Sequence, residues 1–315
     1  MRVLVTGGGG FIGRALTPLL IKAGHGVIVT SRNANTTVPG ATVRQVGELG
    51  PDTRWDEALE GVDAVVHLAA RVHIMNERAA DPLEENRRVN TQGTANLATS
   101  AARAGVKRLV FLSTIKVNGE ATGDEPFHAT DTPAPQDAYA VAKLEAERTL
   151  METAAKEGPS IAIIRPPLVY GPGVRGNFLA LLNIADKNWP LPLGGINNRR
   201  SLIYVGNLID LIVRLLEKTN ASGVYLCRDG EDVSTPELFR EVGNTLGKKA
   251  HLWTVPAFLL RLAGGLTGKS AAISRLTDSL GVDDSPTRRD LDWTPPFSML
   301  QGLKETAIWY KNQGS

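Results

Sequence analysis

Four consecutive glycines directly behind an apolar run at the head of the chain restrict the fold more than any other feature. Val3-Leu4-Val5 leads into Thr6-Gly7-Gly8-Gly9-Gly10-Phe11-Ile12-Gly13, and a helix-forming stretch follows. Gly7, Gly10 and Gly13 carry a G-x-x-G-x-x-G spacing, with Phe11 and Ile12 inside it. Glycine lets the backbone turn tightly and approach a pyrophosphate closely. The helix N-terminus adds N–H groups and a partial positive charge. Strand before and helix after is the context that this chemistry requires. A plain βα turn without ligand is the alternative reading of the same spacing.

Short apolar runs then alternate with helical stretches. Val27–Val29, Ala64–His67, Leu109–Leu112 and Ile161–Ile164 read as buried parallel strands, rich in β-branched residues and edged by turn signals. Gly13–Ala23, Trp55–Leu59, Arg87–Ala104 and Ala138–Lys156 read as helices between them. Alternation in this order predicts an α/β fold with a doubly wound parallel sheet. From Pro166 onward prolines and glycines multiply. The expected division is a nucleotide-binding domain over 1–165, with a return segment near 201–226, and a smaller substrate-binding region over 166–315. Val205–Lys218, Pro236–Leu246 and Leu303–Lys311 read as helices in that second part, and the apolar Pro256–Leu266 segment as a packed helix.

Bulk properties exclude several function classes. Net charge is +2 with acids and bases interspersed, so no basic stripe argues for nucleic acid. No apolar run reaches the ~20 residues that cross a bilayer, so no membrane insertion is expected. The single cysteine, Cys227, lies in Val224-Tyr225-Leu226-Cys227, which reads as a buried strand and fits a reducing compartment. A strand beginning at once after Met1 leaves no signal peptide, and the expected location is the cytoplasm. The five histidines are scattered without metal-ligand spacing, so no metal site is expected, and His67 reads as a satisfied sheet histidine.

The second strand ends in Thr30-Ser31-Arg32. An acidic side chain there would accept bonds from a ribose diol and repel a 2′-phosphate. A hydroxyl beside a guanidinium suits a bound phosphate instead, so NADP(H) is expected ahead of NAD(H). Glu48 and Leu49 follow the third apolar segment and are candidates for the adenine pocket.

Tyr139 and Lys143 lie four residues apart, on one face of a helix. A phenol holds its proton to a pKa near ~10. A fixed ammonium beside it favours the phenolate and makes proton exchange with a carbonyl or alcohol feasible. Leu109–Leu112 delivers Ser113 and Thr114 to the C-terminal sheet edge, where open α/β folds bind their ligands. A hydroxyl there can share a substrate oxygen with Tyr139.

Taken together, the chain resembles the extended short-chain dehydrogenase/reductases, in particular their nucleotide-sugar epimerase/dehydratase branch. The resemblance covers nearly the whole length. It rests on the glycine turn, His67-Leu68-Ala69-Ala70, Asn90-Thr91-Gln92-Gly93-Thr94, the Tyr139/Lys143 pair, Arg165-Pro166-Pro167-Leu168-Val169-Tyr170-Gly171-Pro172-Gly173, Arg199–Val205 and Arg289–Pro295. It implies Tyr139 as proton donor or acceptor and Lys143 as its pKa-lowering partner and ribose ligand. Thr114 would orient the substrate oxygen with Ser113 nearby, and Asn90 would support Lys143 or the substrate. Leu68, Ala69, Ala70 and Pro166 would line the cofactor. Arg200, Asn177 and, as a weaker candidate, Arg275 would hold the diphosphate of a nucleotide sugar. The family also implies a homodimer through the helices near Arg87–Ala104 and Ala138–Lys156.

Departures from the family pattern narrow the reaction. Ile115-Lys116 replaces the acid pair that dehydratases carry after the threonine, which argues against 4,6-dehydration. Asn118 stands where the pattern has tyrosine, and Gly206-Asn207 where it has two aspartates. The pattern's R-P-G-D segment has no counterpart near Ile273–Val282. Two enzyme readings remain. The first is NADPH-dependent reduction of the 4-keto group of a UDP-linked 6-deoxy-N-acetylhexosamine in bacterial surface-polysaccharide synthesis. The second is a UDP-sugar 4-epimerase with retained NAD(P). Ser31-Arg32 favours the first. A non-catalytic NADP-binding sensor is a distant third, because such relatives lose the Tyr or the Lys.

Overall fold

The computed structural model describes residues 1–33, 35–72, 81–156 and 158–313. Its first half alternates β1 (Arg2–Thr6), α1 (Phe11–Lys22), β2 (Gly26–Ser31), β3 (Thr42–Gln45), α2 (Asp56–Leu59) and β4 (Ala64–His67). Next come α3 (Pro82–Asn86), α4 (Gly93–Arg103), β5 (Arg108–Leu112), α5 (Ala138–Ala154) and β6 (Ser160–Arg165). The second half holds β7 (Leu168–Tyr170), α6 (Gly176–Asp186), β8 (Leu202–Tyr204), α7 (Val205–Glu217) and β9 (Gly223–Leu226), then α8 (Thr235–Leu246), α9 (Ala257–Leu266), α10 (Ser270–Thr277), α11 (Ser285–Leu291) and α12 (Met299–Asn312).

Seven strands form one parallel sheet in the order β3-β2-β1-β4-β5-β6-β9. The order reverses between β1 and β4, the switch point at which ligands of such sheets bind. Alternate residues of each strand serve opposite faces. Val3 and Val5 of β1 pack with Leu16 and Leu20 of α1 and with α7, whereas Leu4 packs with Leu59, Leu97 and Leu150 of α2, α4 and α5. A second core joins Tyr170, Phe178, Leu182, Phe239 and Leu303 around a small parallel pair of β7 and β8. Among the described residues no helix is long and apolar enough to cross a membrane.

Some elements differ from the sequence reading, β3 and the start of the Arg87–Ala104 helix among them. β3 carries Arg44 and Gln45 on the sheet edge, half-buried at best, so it lacks the apolar signature of the inner strands. The helix expected over Arg87–Ala104 opens with a π-helical turn, Arg87–Gln92, before α4. Such wide turns recur where a side chain must be re-aimed, and here the turn carries Asn90.

The glycine turn is held by contact rather than by freedom alone. Gly7 sits at φ +70°, and a Cβ there would stand 2.8 Å from the Ala69 nitrogen. A Cβ on Gly13 would stand 2.5 Å from both Gly7 O and Gly8 Cα, whereas one on Gly9 meets nothing within 4 Å. Gly13→Ala is therefore expected to cost roughly 2–4 kcal/mol of stability and Gly9→Ala under about 0.5. Urea unfolding of the two variants reads the contrast; equal midpoints would overturn the close-packing account.

Candidate active site

α1 starts at the turn with Gly10 as its N-cap and no side chain capping it. The N–H groups of its first turn and the positive end of its dipole are left for an anion. Leu68 and Ala69 border the same turn through the close approach of Gly7, and the Ala69 amide donates to Thr6 Oγ1 at 3.1 Å. Gly173 lies against Phe11, so the loop after β7 meets the turn from the other side. His67 is buried with Thr6 Oγ1 and Thr94 Oγ1 at 2.6 and 3.0 Å from its ring nitrogens, the structural role expected of it. A glycine cradle with an uncapped helix start fits the pyrophosphate of a dinucleotide.

At the far end of β2, Ser31 Oγ is 2.6 Å from Thr36 Oγ1 and accepts the Asn33 amide at 3.0 Å. Arg32 is exposed beside it. Glu48 is exposed, while Leu49 is half-buried and packs beside Gly93.

The reacting end is built on β5 and α5. Lys143 is buried, its Nζ donates to Leu112 O at 2.7 Å, and it lies 4.0 Å from the centre of the Phe111 ring. That bond joins the helix carrying Tyr139 to the strand end carrying Ser113 and Thr114. Half-buried Thr114 caps the short 3₁₀ turn Ile115–Val117, and Ile115 N–H donates to the carbonyl of buried Pro166 at 3.0 Å. Lys116, in place of the dehydratase acid, pairs with Asp137 at 2.7 Å, and Asp137 caps α5 through the Ala140 amide at 2.7 Å.

The charge pattern differs from the expected one. Burial first, and the Asp137 carboxylate second, push the Tyr139 phenol well above its ordinary pKa. Burial lowers Lys143 to about 7, with Glu147 opposing the shift. The Lys143 ammonium is directed at the Leu112 carbonyl.

Glu147, which the sequence reading did not single out, completes the site together with Arg165 and Asn118, known there only as motif positions. Glu147, one turn beyond Lys143, forms a buried ion pair with Arg165 of β6, at 2.5 Å between Nη2 and Oε2. Ser113 Oγ donates to the same carboxylate, and Arg165 Nη1 donates to Asn118 Oδ1 at 3.0 Å. Ser113 is thus committed to a buried network and set apart from Thr114. The signal was the Tyr139/Lys143/Glu147 spacing of four and four, readable only once Arg165 is known to face it. Asn90 accepts the Arg71 amide at 2.8 Å and donates to Arg71 O at 2.9 Å and Asn86 Oδ1 at 3.0 Å. It holds the backbone after β4 and does not bond Lys143. Asn207 bridges Asp229 and the main chain of Phe297, a structural task.

The proposed diphosphate ligands lie on separate elements. Asn177 is exposed in the first turn of α6, and Arg275 is exposed in the last turn of α10. Arg200 is half-buried and donates to Asp278 O at 3.2 Å.

Comparison with known proteins decides the family. The sequence pattern of the NAD dependent epimerase/dehydratase family matches residues 3–227. The chain belongs to that family. It is 42 % identical over 309 residues to a UDP-glucose 4-epimerase of Vibrio cholerae, covering 97 % of this chain and 94 % of that one. Over 320 residues it is 30 % identical to an N-acetyl-α-D-glucosaminyl-diphospho-ditrans,octacis-undecaprenol 4-epimerase of Escherichia coli O157:H7, covering 96 % and 93 %. The solved structure of MoeE5 in complex with UDP-glucose and NAD superposes with a TM-score of 0.77 at 25 % identity, over the full length of both chains. As a member of the family the protein is an enzyme of the extended short-chain dehydrogenase/reductase type, with the nicotinamide-cofactor chemistry of its epimerases and dehydrogenases.

Two outcomes are expected from this geometry. Glu147→Gln or Arg165→Met alone should destabilise by roughly 3–5 kcal/mol, because one buried charge loses its partner, and the double change Glu147→Leu/Arg165→Met should cost less than either; urea unfolding of the three variants checks the order. The second concerns Lys143, whose pKa is about 7 folded against 10.5 ordinarily. Between those values the unfolded chain binds a proton that the folded chain does not, so stability rises with pH across that window, and the burial penalty is complete below it. In cofactor-stripped protein Lys143→Met should gain roughly 2–4 kcal/mol over the parent near pH 6 and progressively less toward pH 9. A gain independent of pH would contradict the shift.

Proposed function

We propose that the protein is a nucleotide-sugar 4-epimerase, acting at C4 of a UDP-linked hexose with a retained NAD(P). The observation that carries this reading is the joining of Tyr139 and Lys143 to the Ser113–Thr114 strand end through the Lys143–Leu112 bond, with only β4 between that strand and the one that leads into the glycine turn. The 42 % identical Vibrio cholerae relative supports epimerisation over net reduction. Gly7, Gly10, Gly13 and the start of α1 would hold the pyrophosphate, Arg32 the adenosine ribose end on a loop shaped by Ser31, and Lys143 the nicotinamide ribose. When bound there, the nicotinamide supplies a two-electron acceptor and, oxidised, a positive charge that favours the Tyr139 phenolate.

The protein's own groups do the rest. Tyr139 takes the proton of the C4 hydroxyl and returns it after the sugar has presented its other face. Thr114 Oγ1 hydrogen-bonds the same oxygen and fixes its distance from the phenol. Arg200, with Asn177 and Arg275, anchors the diphosphate, so the sugar can rotate without leaving the site.

Ser31-Arg32 favours a second reading, the NADPH-dependent 4-ketoreductase, because no carboxylate at the end of β2 opposes a 2′-phosphate. One experiment separates the two. Incubated with UDP-glucose or UDP-N-acetylglucosamine, the enzyme should produce the C4 epimer by NMR without stoichiometric nicotinamide turnover, and Tyr139→Phe should lower kcat by about 10²–10⁴-fold. Stoichiometric NADPH loss with a UDP-4-keto-6-deoxy sugar, and no epimer from either hexose, selects the reductase instead.

A further inference from the structure

α9 inverts the usual arrangement of a surface helix. Only Leu260 and Gly264 are buried, the latter pressed on Ile273 of α10. Phe258, Leu262 and Leu266, at four-residue spacing, are 66 %, 61 % and 82 % exposed, and Trp253 just before the helix is 63 % exposed. Arg261 is the sole polar side chain among the ten residues. A globular helix normally points its apolar stripe at the core, so this stripe is built for something outside the chain. An exposed Trp189 lies on the segment that Leu191 bridges to Leu252, beside Trp253.

The charge around the stripe identifies the partner. From Val242 to Thr277 there is no Asp or Glu, while Lys248, Lys249, Arg261, Lys269 and Arg275 are all exposed. Lys248-Lys249 and Lys269 bracket the helix, and Arg261 alone is paired, with Asp278 at 2.8 Å. Apolar residues ringed by lysines, with tryptophans at the margin, match the hydrocarbon boundary and anionic headgroups of a bilayer. A self-association through this face would bring like charges together, and protein interface cores are poor in lysine. The helix is about 15 Å long, so it lies in the interface and crosses nothing.

We infer that α9 and its cationic flanks form a peripheral docking surface for an anionic phospholipid bilayer. The surface adjoins the fold near Arg200, since Asp278 accepts Arg261 through its carboxylate and Arg200 through its carbonyl.

Sedimentation of the full chain with phosphatidylcholine vesicles, with and without phosphatidylglycerol, tests the surface. The parent should bind the anionic vesicles at low salt and the neutral ones several-fold more weakly. Phe258→Ser/Leu262→Ser should weaken binding by roughly tenfold or more, and Lys248→Glu/Lys249→Glu should erase the anionic preference; melting temperature and dinucleotide binding report that both remain folded. Failure of the parent to bind either vesicle, or binding insensitive to Phe258→Ser/Leu262→Ser, overturns the inference. So does conversion of a soluble oligomer to monomers by Phe258→Ser/Leu262→Ser without any vesicle binding by the parent, which would assign the face to self-association.

Discussion

The buried pair of Glu147 and Arg165 is the interaction on which the reacting end depends. Burying a carboxylate is costly unless it is paired and hydrogen-bonded, and this one is satisfied by the guanidinium and by the Ser113 hydroxyl together. Glu147 lies on α5 and Arg165 on β6, so the pair fixes how α5 is rotated against the sheet. Lys143 and Tyr139 lie one and two turns nearer the N-terminus of α5, and their directions follow from that rotation. The other arm of Arg165 reaches Asn118, whose own amide holds His128 O at 2.8 Å, so the loop after Thr114 is tied to the same point. Strand end, helix and loop thus share one charged centre behind the reacting face.

Electrostatic poise follows from where the charges stop. Lys143 is surrounded by the Leu112 carbonyl, the Phe111 face and, one turn away, a carboxylate already occupied by Arg165. Glu147 therefore supports the ammonium only in part, and burial wins, which brings Lys143 to about 7. Asp137 acts in the opposite sense on Tyr139. It must be present to cap α5, yet its charge disfavours the phenolate, and Lys116 offsets part of that charge. The Ile115-Lys116 departure from the dehydratase pattern thus has a structural purpose: the lysine steadies the cap of the helix that carries the tyrosine.

Much of this was legible in the chain because its signals are local. Val3–Val5, Ala64–His67 and Ile161–Ile164 announce inner parallel strands, and the glycine turn announces a helix start. β3 was legible only as a third apolar segment before Glu48, because an edge strand with Arg44 and Gln45 does not need a long apolar run. Glu147 and Arg165 were illegible as a pair because they meet only after α5 has packed on β6. Asn118 and Asn207, substitutions without meaning in sequence, gain one from partners 47 and 22 positions away. Pro256–Leu266 is the opposite case: helical as expected, but packed by two residues, because apolar composition alone does not say which face turns inward.

Cofactor choice and reaction outcome are separate questions that the end of β2 joins only loosely. Ser31 spends its hydroxyl on Thr36 and the Asn33 amide, so it shapes the loop rather than standing free. Any preference for a 2′-phosphate would then rest on the exposed Arg32 and on the lack of an opposing carboxylate. Selectivity is a difference of affinities, and removing a repulsive group relaxes discrimination without creating a tight site. An epimerase requires that the dinucleotide stay through the cycle, a demand that in the proposed site would fall on the glycine turn and Lys143. Neither set of contacts excludes the other. On the proposed reading, the residues at positions 31 and 32 bear on which dinucleotide is held, while the fate of the electrons would be decided at the sugar end, where Arg200 and its neighbours would keep the substrate while it turns.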